Sequence, residues 1–162
     1  MYQWIVLVHI VGAFVFVLSH GVAVYMAFEL PKQRDSRRIM ALLDLSSASL
    51  GGLYLGLVLL LIGGIWAGID RGWFAFGWTW AALVVLVAIV VAMYAIATPY
   101  FKQLRLAVGQ RVMGMPKDGP EPVPLGEAEI LAIAAKSPAV ALAAVGIGGL
   151  LILLWLMVLK PF

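Results

Sequence analysis

The chain has 162 residues, of which 64% are hydrophobic and only 12% are charged, and its mean hydropathy is +1.06. Soluble domains are closer to half apolar and a quarter charged, so the composition indicates a membrane protein. The absence of cysteine excludes disulfides, thiolate metal sites and covalent c-type haem, and the net charge of +3 does not indicate nucleic-acid binding, because the basic residues flank apolar segments.

Four apolar runs predict four transmembrane helices, at about 4–28, 39–69, 78–100 and 138–159. A spanning helix needs about 20 apolar residues, and each run is long enough. The first run lacks a basic n-region and is too long for a signal peptide, so we expect it to be a membrane span. The predicted fold class is all-α, a polytopic four-transmembrane-helix bundle that forms a single domain.

Sequence signals also mark the helix ends and the loops. Asp35 or Ser36 is the expected N-cap of the second helix, and Pro138 suits the first turn of the last one. The predicted cytoplasmic loop, 101–137, contains a proline-rich extended stretch. Within it, residues 125–136 predict a short amphipathic helix at the membrane interface.

The basic residues predict the orientation of the bundle. Nine fall in the first and third loops and their flanks, against only Arg71 and Lys160 on the other side. The nine are Lys32, Arg34, Arg37, Arg38, Lys102, Arg105, Arg111, Lys117 and Lys136. All six tryptophans fall near the opposite face. The positive-inside rule therefore predicts that both termini lie on the extracytoplasmic side of a cytoplasmic (inner) membrane.

Three ionisable side chains lie deep within the predicted spans: His9, His20 and Asp44. Such groups are costly in lipid and are candidates for function. The histidines are eleven residues apart on one helix, which places them about 20° apart around its axis and about 16 Å apart along it. They cannot share one metal ion, but they could serve two sites or one transmembrane relay.

His20 and Asp44 lie at a similar depth, together with Ser47 on the second helix and Tyr94 on the third. One interpretation is a structural hydrogen bond between His20 and Asp44 that locks two helices together. The other is that this polar cluster forms a proton relay or a ligand site. The sequence leaves both open.

His9 has no obvious polar partner at its depth, where the neighbouring helices carry glycines: Gly63 and Gly64 on the second helix, and Gly146, Gly148 and Gly149 on the fourth. Such glycines commonly allow close helix packing, and His9 would then bond to its own helix backbone. Alternatively, they leave room for a flat macrocycle, with His9 as the axial ligand of haem b.

Several stretches resemble known families. Residues 2–12 (YQWIVLVHIVG), Ser19-His20-Gly21 and residues 37–47 (RRIMALLDLSS), together with Met93-Tyr94-Ala95 and Thr98-Pro99-Tyr100, resemble an uncharacterised bacterial membrane family allied to the copper-resistance protein CopD. More distantly, the pattern around His9 is similar to the membrane protoporphyrinogen oxidase HemJ, a four-helix family whose first helix supplies a haem-ligating histidine. The chain lacks an arginine in its first helix and a lysine in its third, so this resemblance implies haem binding but not the oxidase activity.

Three functions follow from these observations, and whether the protein is an enzyme stays open. The leading hypothesis is a small redox-linked membrane protein that binds haem b, with His9 as the iron ligand and His20 as a second candidate cofactor-binding residue. The alternative is a non-enzymatic subunit or scaffold of a larger membrane complex, or a homo-oligomer, that packs through its glycine faces. The third is CopD-like metal handling.

Overall fold

The computed structural model describes residues 1–116 and 118–162, so the predicted contribution of Lys117 to the basic loop lies outside the described residues. These residues form five α-helices and no β-strand. The helices are α1 (Tyr2–Glu29), α2 (Ser36–Asp70), α3 (Gly77–Ala107), α4 (Glu127–Ala134) and α5 (Ala139–Leu159). Four segments are long and apolar enough to cross a membrane, and they contain α1, α2, α3 and α5. The predicted all-α fold class is confirmed.

Local sequence signals explain where the long helices begin and end. After α1 the chain makes a 3-10 turn, Leu30–Lys32, with Pro31 inside it. Asp35 is the N-cap of α2, and its carboxylate accepts a hydrogen bond of 2.9 Å from the backbone N–H of Arg37. At the other end, Gly72 has a φ of 66°, a left-handed conformation that glycine adopts without strain, and there the chain turns towards α3.

Two helix boundaries differ from those expected. The third helix continues through Pro99 to Ala107, so the first part of the predicted 101–137 loop is helical. Proline is tolerated within a transmembrane helix because neighbouring groups can satisfy the backbone carbonyl that it leaves unpaired. Pro138 is the N-cap residue of α5 and not part of its first turn. The predicted short helix forms at Glu127–Ala134.

The spanning helices pack as two pairs. α1 makes its most extensive contact with α2, and α3 makes its most extensive contact with α5. A smaller contact between α1 and α5 joins the pairs. The two chain termini lie at the same end of the bundle, where Tyr2 packs on Trp73 and the carbonyl of Phe162 accepts a hydrogen bond from the N–H of Trp78.

The opposite end, called the basic end because it carries Lys32, Arg37 and Arg38, holds the largest buried apolar cluster. Its fully buried side chains include Leu30, Ile39, Leu43 and Leu104, and α4 covers them with Ile130. The hydroxyl of Tyr100 donates a buried hydrogen bond of 3.0 Å to the carbonyl of Ala134, which ties α3 to α4. The hydroxyl of Ser137 donates a hydrogen bond of 2.7 Å to the carbonyl of Ala27, which ties the start of α5 to α1.

The end with the termini, called the tryptophan end, is tied by aromatic contacts. The Trp73 ring meets the rings of Tyr2 and Trp78 edge-on, at centroid distances of 6.4 and 5.5 Å. The two basic residues of this end lie over these rings: the Arg71 guanidinium is 3.9 Å from the centre of Tyr2, and the Lys160 ammonium is 4.2 Å from the centre of Trp73. Cation–π contacts of this kind stabilise the amphipathic belt of a membrane protein.

Candidate functional site: the polar groups inside the bundle

Glycines let the backbones of α1 and α2 come into direct contact. A Cβ placed on Gly56 would lie 2.5 Å from the backbone nitrogen of Phe16, and one on Gly63 would lie 2.7 Å from that of His9. A Cβ on Gly12 would overlap the backbone of Leu60. Real Cβ atoms do not come this close to other atoms. The contact between α1 and α2, called the glycine seam, therefore exists only because these positions lack side chains.

His9 lies in the glycine seam and finds its hydrogen-bond partner on the neighbouring helix. Its Nδ1 is 2.7 Å from the carbonyl oxygen of Leu60 on α2. The ring lies over Gly64, where a Cβ would be 3.0 Å from both Nδ1 and Cε1. The expectation that His9 bonds to its own helix when no haem is present is therefore wrong, because the glycine seam brings the α2 backbone within reach.

The bond to Leu60 fixes the tautomer of the His9 ring. A carbonyl oxygen can only accept a hydrogen bond, so Nδ1 carries the proton and Nε2 keeps a free lone pair. Histidine ligands in metal sites commonly show this arrangement, with one ring nitrogen donating to a backbone carbonyl and the other facing the metal. His9 is half-buried. The donor chemistry of this residue therefore fits a haem iron.

The glycines expected to cradle a macrocycle do not fit that purpose. The space above Gly63 is filled by the backbone of His9, and the space above Gly149 is filled by the side chain of Ile89. The space above Gly64 holds the His9 ring itself, and only Gly148 has no neighbour within 4 Å. The space above Gly146, the fifth of these glycines, is filled by the His20 ring. At four of the five positions the contacts therefore support the helix-packing interpretation.

His20 contacts α5. Its side chain is buried, with 6% of its surface exposed, and it stacks parallel to the Phe16 ring at 6.1 Å. A Cβ on Gly146 would overlap Nε2 and Cε1 of the ring. The His20 imidazole thus fills a notch in α5 that only glycine leaves open. Among the described residues, its Nε2 is the one fully buried side-chain nitrogen or oxygen without a hydrogen-bond partner.

The predicted hydrogen bond between His20 and Asp44 is not formed. Asp44 is exposed, and its carboxylate accepts a hydrogen bond of 2.8 Å from the side-chain amide of Gln110, which follows α3. His20 faces Gly146 on α5. The contact between Ser19 and Gly52 places His20 level with Gly52, whereas Asp44 lies eight residues earlier on α2, about 12 Å nearer the basic end. The expected match in depth and the expected helix lock are therefore both wrong.

Asp44 belongs instead to a polar network at the basic end that the sequence did not reveal. The Arg105 guanidinium donates hydrogen bonds to the Gln110 side-chain oxygen at 2.9 Å and to the carbonyl of Leu43 at 2.8 Å. Gln110 therefore bridges Arg105 and Asp44. This network connects the end of α3 to α2, and it depends on the extension of α3 beyond the predicted span.

The remaining members of the predicted polar cluster are also apart. The Ser47 hydroxyl donates to the carbonyl of Leu43 in its own helix, at 3.2 Å, and Tyr94 is 69% exposed on α3. Neither contacts His20. The structure thus separates the predicted cluster into a buried histidine, a network at the basic end and an exposed tyrosine.

Four residues lie along one face of α2: Asp44, whose carboxylate is bonded to Gln110 at the basic end, and then Ser47, Gly51 and Tyr54. All four are exposed, and a Cβ on Gly51 would meet no atom within 4 Å. We call this surface the outer face of α2. It is unusual for a transmembrane helix, because polar side chains within membranes generally face the bundle interior or a partner and not the lipid.

The described residues contain no group of three or more histidine, cysteine or acidic side chains placed to hold a metal ion. Comparison of the chain with protein-family models, with curated proteins and with solved structures gives no significant match. The resemblances to the CopD-allied and HemJ families therefore depend on the sequence motifs alone.

Proposed function

We propose that this chain is a non-enzymatic membrane subunit that packs against another transmembrane segment through the outer face of α2. The observation that supports this proposal is the exposure of Asp44, Ser47, Gly51 and Tyr54 on a helix surface where lipid-facing residues would be apolar. Most other glycines of the spanning helices are already used for packing within the chain. Gly21, Gly51 and Gly148 have open space beside them, and of these three Gly51 lies on a face with polar neighbours, Ser47 and Tyr54.

The chemistry of this face suits a helical partner. Ser47 and Gly51 are four residues apart, the spacing of small residues that lets two transmembrane helices approach closely. The Tyr54 side chain is 59% exposed, and its hydroxyl would gain a hydrogen-bond partner at an interface but not in hydrocarbon. Interhelical hydrogen bonds of this kind contribute about 0.6 kcal/mol on average in membranes.

The proposal is tested by cross-linking, since the chain contains no cysteine. Gly51→Cys places a single thiol on the outer face of α2. Gly21→Cys is the matched control, because Gly21 is also an exposed helical glycine with no atom within 4 Å of its Cβ position. The contact between Ser19 and Gly52 places the two sites at similar depths. Native membranes are treated with a thiol cross-linker and the products are separated by mass.

We expect Gly51→Cys to yield a cross-linked species of higher mass and Gly21→Cys to yield none. A second variant, Tyr54→Cys, carries the thiol on the same face of α2 and should also be cross-linked. Adding Gly51→Leu to this variant should abolish its cross-linked product, because leucine prevents the partner helix from approaching α2 closely. Equal cross-linking at positions 51 and 21, or none at position 51, would refute the proposal. Mass spectrometry of the product then shows whether the partner is a second copy or a different protein.

Binding of haem b is a second candidate, favoured by the His9 bond to Leu60. That bond leaves Nε2 free as an iron ligand, although the glycine cradle that was expected beside it is filled. Protein purified from a haem-replete host should then show a Soret band that His9→Ala removes and His20→Ala retains. Absence of the band from the unmodified protein would rule this candidate out.

The location of the protein follows from its spanning helices and its charges. The four apolar helices indicate a multi-pass membrane protein. We propose that this membrane is a bacterial cytoplasmic membrane, because the sequence motifs resemble a bacterial family, and that the basic end is inside the cell, because of the asymmetry of the lysines and arginines.

A further inference from the structure

His20 is the least satisfied polar side chain inside the bundle. It is a buried imidazole about 13 Å from the basic end of α1, counting nine residues to Glu29, and its Nε2 has no hydrogen-bond partner. Leaving such a group unpaired in an apolar environment destabilises the packed arrangement. His20 lies in the contact between α1 and α5, one of the contacts that join the pair α1–α2 to the pair α3–α5.

The notch at Gly146 accepts the neutral ring only. Nε2 lies against the α5 backbone at Gly146, and among the described residues no group is placed to form a hydrogen bond with it. Protonation would put a positive charge on this edge of the ring. A charged group buried without a partner is far more costly than a neutral one, so the packed arrangement excludes the proton.

In the part of the chain that the structure describes, no carboxylate lies beside His20, and the one on α1, Glu29, is nine residues away. α5 carries no ionisable side chain from Ala139 to Leu159. On α2 the carboxylate of Asp44 is exposed and bonded to Gln110, and on α3 the Tyr94 side chain is exposed. On α1 itself, His9 is bonded to α2. The charge of a protonated His20 could therefore be stabilised only by water that enters between α1 and α5.

We propose that His20 is a proton-sensitive contact: neutral His20 holds α1 against α5, and its protonation separates the two helix pairs at the middle of the bundle. The proposal is independent of the outer face of α2, since it concerns a contact within the chain. By mass action, the ratio of separated to packed molecules increases as the pH falls below the range in which free imidazole titrates, about 6.5. The increase is at most about tenfold per pH unit for a single proton.

The distance between the pairs can be measured by double electron–electron resonance in zwitterionic nanodiscs. Leu18→Cys on α1 and Leu151→Cys on α5 carry the spin labels, because both side chains are more than 60% exposed, at 69% and 61%. The labelled protein is compared at pH 8 and pH 5. The His20→Gln background keeps a polar side chain that cannot be protonated at these pH values. The His9→Gln background is the matched control for the other histidine.

We expect a longer-distance population to grow between pH 8 and pH 5 in the parent and in His9→Gln, but not in His20→Gln. Identical distributions at both pH values in the parent would overturn the proposal, as would an acid response that persists in His20→Gln or disappears in His9→Gln. Gly146→Ala gives an independent test that does not alter the histidine. Its Cβ displaces the imidazole ring from the notch, so the difference between the distributions at pH 8 and pH 5 should be lost, and a parent-like acid response in this variant would contradict the proposal.

Discussion

The glycine seam makes a quantitative prediction about the stability of the bundle. In Gly56→Ala the added Cβ would lie 2.5 Å from the Phe16 nitrogen and 2.9 Å from the Gly12 carbonyl oxygen, about 1 Å closer than the ~3.5–4.0 Å of an ordinary contact. These are backbone atoms, so α1 and α2 must move apart. Overpacking of this kind costs about 1–3 kcal/mol. Lengthening of the bond between His9 and Leu60 would add about 0.6 kcal/mol.

The matched control is Gly51→Ala, five residues earlier on the same helix, where a Cβ meets no atom within 4 Å. Alanine is favoured over glycine in a helix by about 1 kcal/mol, so this variant should be as stable as the parent or more stable. Unfolding by SDS in mixed micelles, followed by tryptophan fluorescence, measures both free energies. If Gly56→Ala proves as stable as Gly51→Ala, the close backbone contact between α1 and α2 is not present in the protein.

Two further predictions concern the two ends of the bundle. A thiol-reactive reagent that does not cross membranes should label Gly72→Cys in intact cells but not Ser36→Cys, because the nine-to-two asymmetry of basic residues places position 36 inside; labelling at position 36 would reverse the orientation. Tyr100→Phe removes the buried hydrogen bond to Ala134 and should lower the free energy of unfolding by about 0.5–1.5 kcal/mol. Tyr94→Phe changes an exposed side chain and should leave the free energy of unfolding unchanged. Equal effects of the two substitutions would contradict the hydrogen bond between Tyr100 and Ala134.

The elements of the fold could be predicted because each depends on local sequence. Long apolar runs indicate spanning helices whatever their neighbours are, and an aspartate before a helical run indicates an N-cap, as Asp35 shows. The short helix that becomes α4 was also recognisable, from its own apolar periodicity. The end of α3 at Ala107 could not be predicted in this way. Hydropathy indicates where a helix leaves the membrane, at about residue 100 here, and not where the helix itself ends.

The partners of the polar residues could not be predicted in the same way. Counting residues from the expected membrane edges gives neither the relative depth of two side chains nor the neighbouring helix that each one faces. His20 is level with Gly52 and contacts Gly146, whereas Asp44 lies nearer the basic end and pairs with Gln110. The partner of His9 is a backbone carbonyl, which every residue has, so no sequence pattern identifies Leu60. Only the register of the glycine seam places that carbonyl beside the ring.

The contacts at the two ends of the bundle also determine where a separation of the helix pairs can be detected. At the tryptophan end the rings of Tyr2, Trp73 and Trp78 hold both termini together, and at the basic end the cluster around Leu43 and Leu104 joins α2 to α3. The helix pairs can therefore bow apart at mid-length while their ends stay in place. Fluorophores or affinity tags fused to the termini would then report a rigid protein, and only probes at mid-membrane positions would register the change.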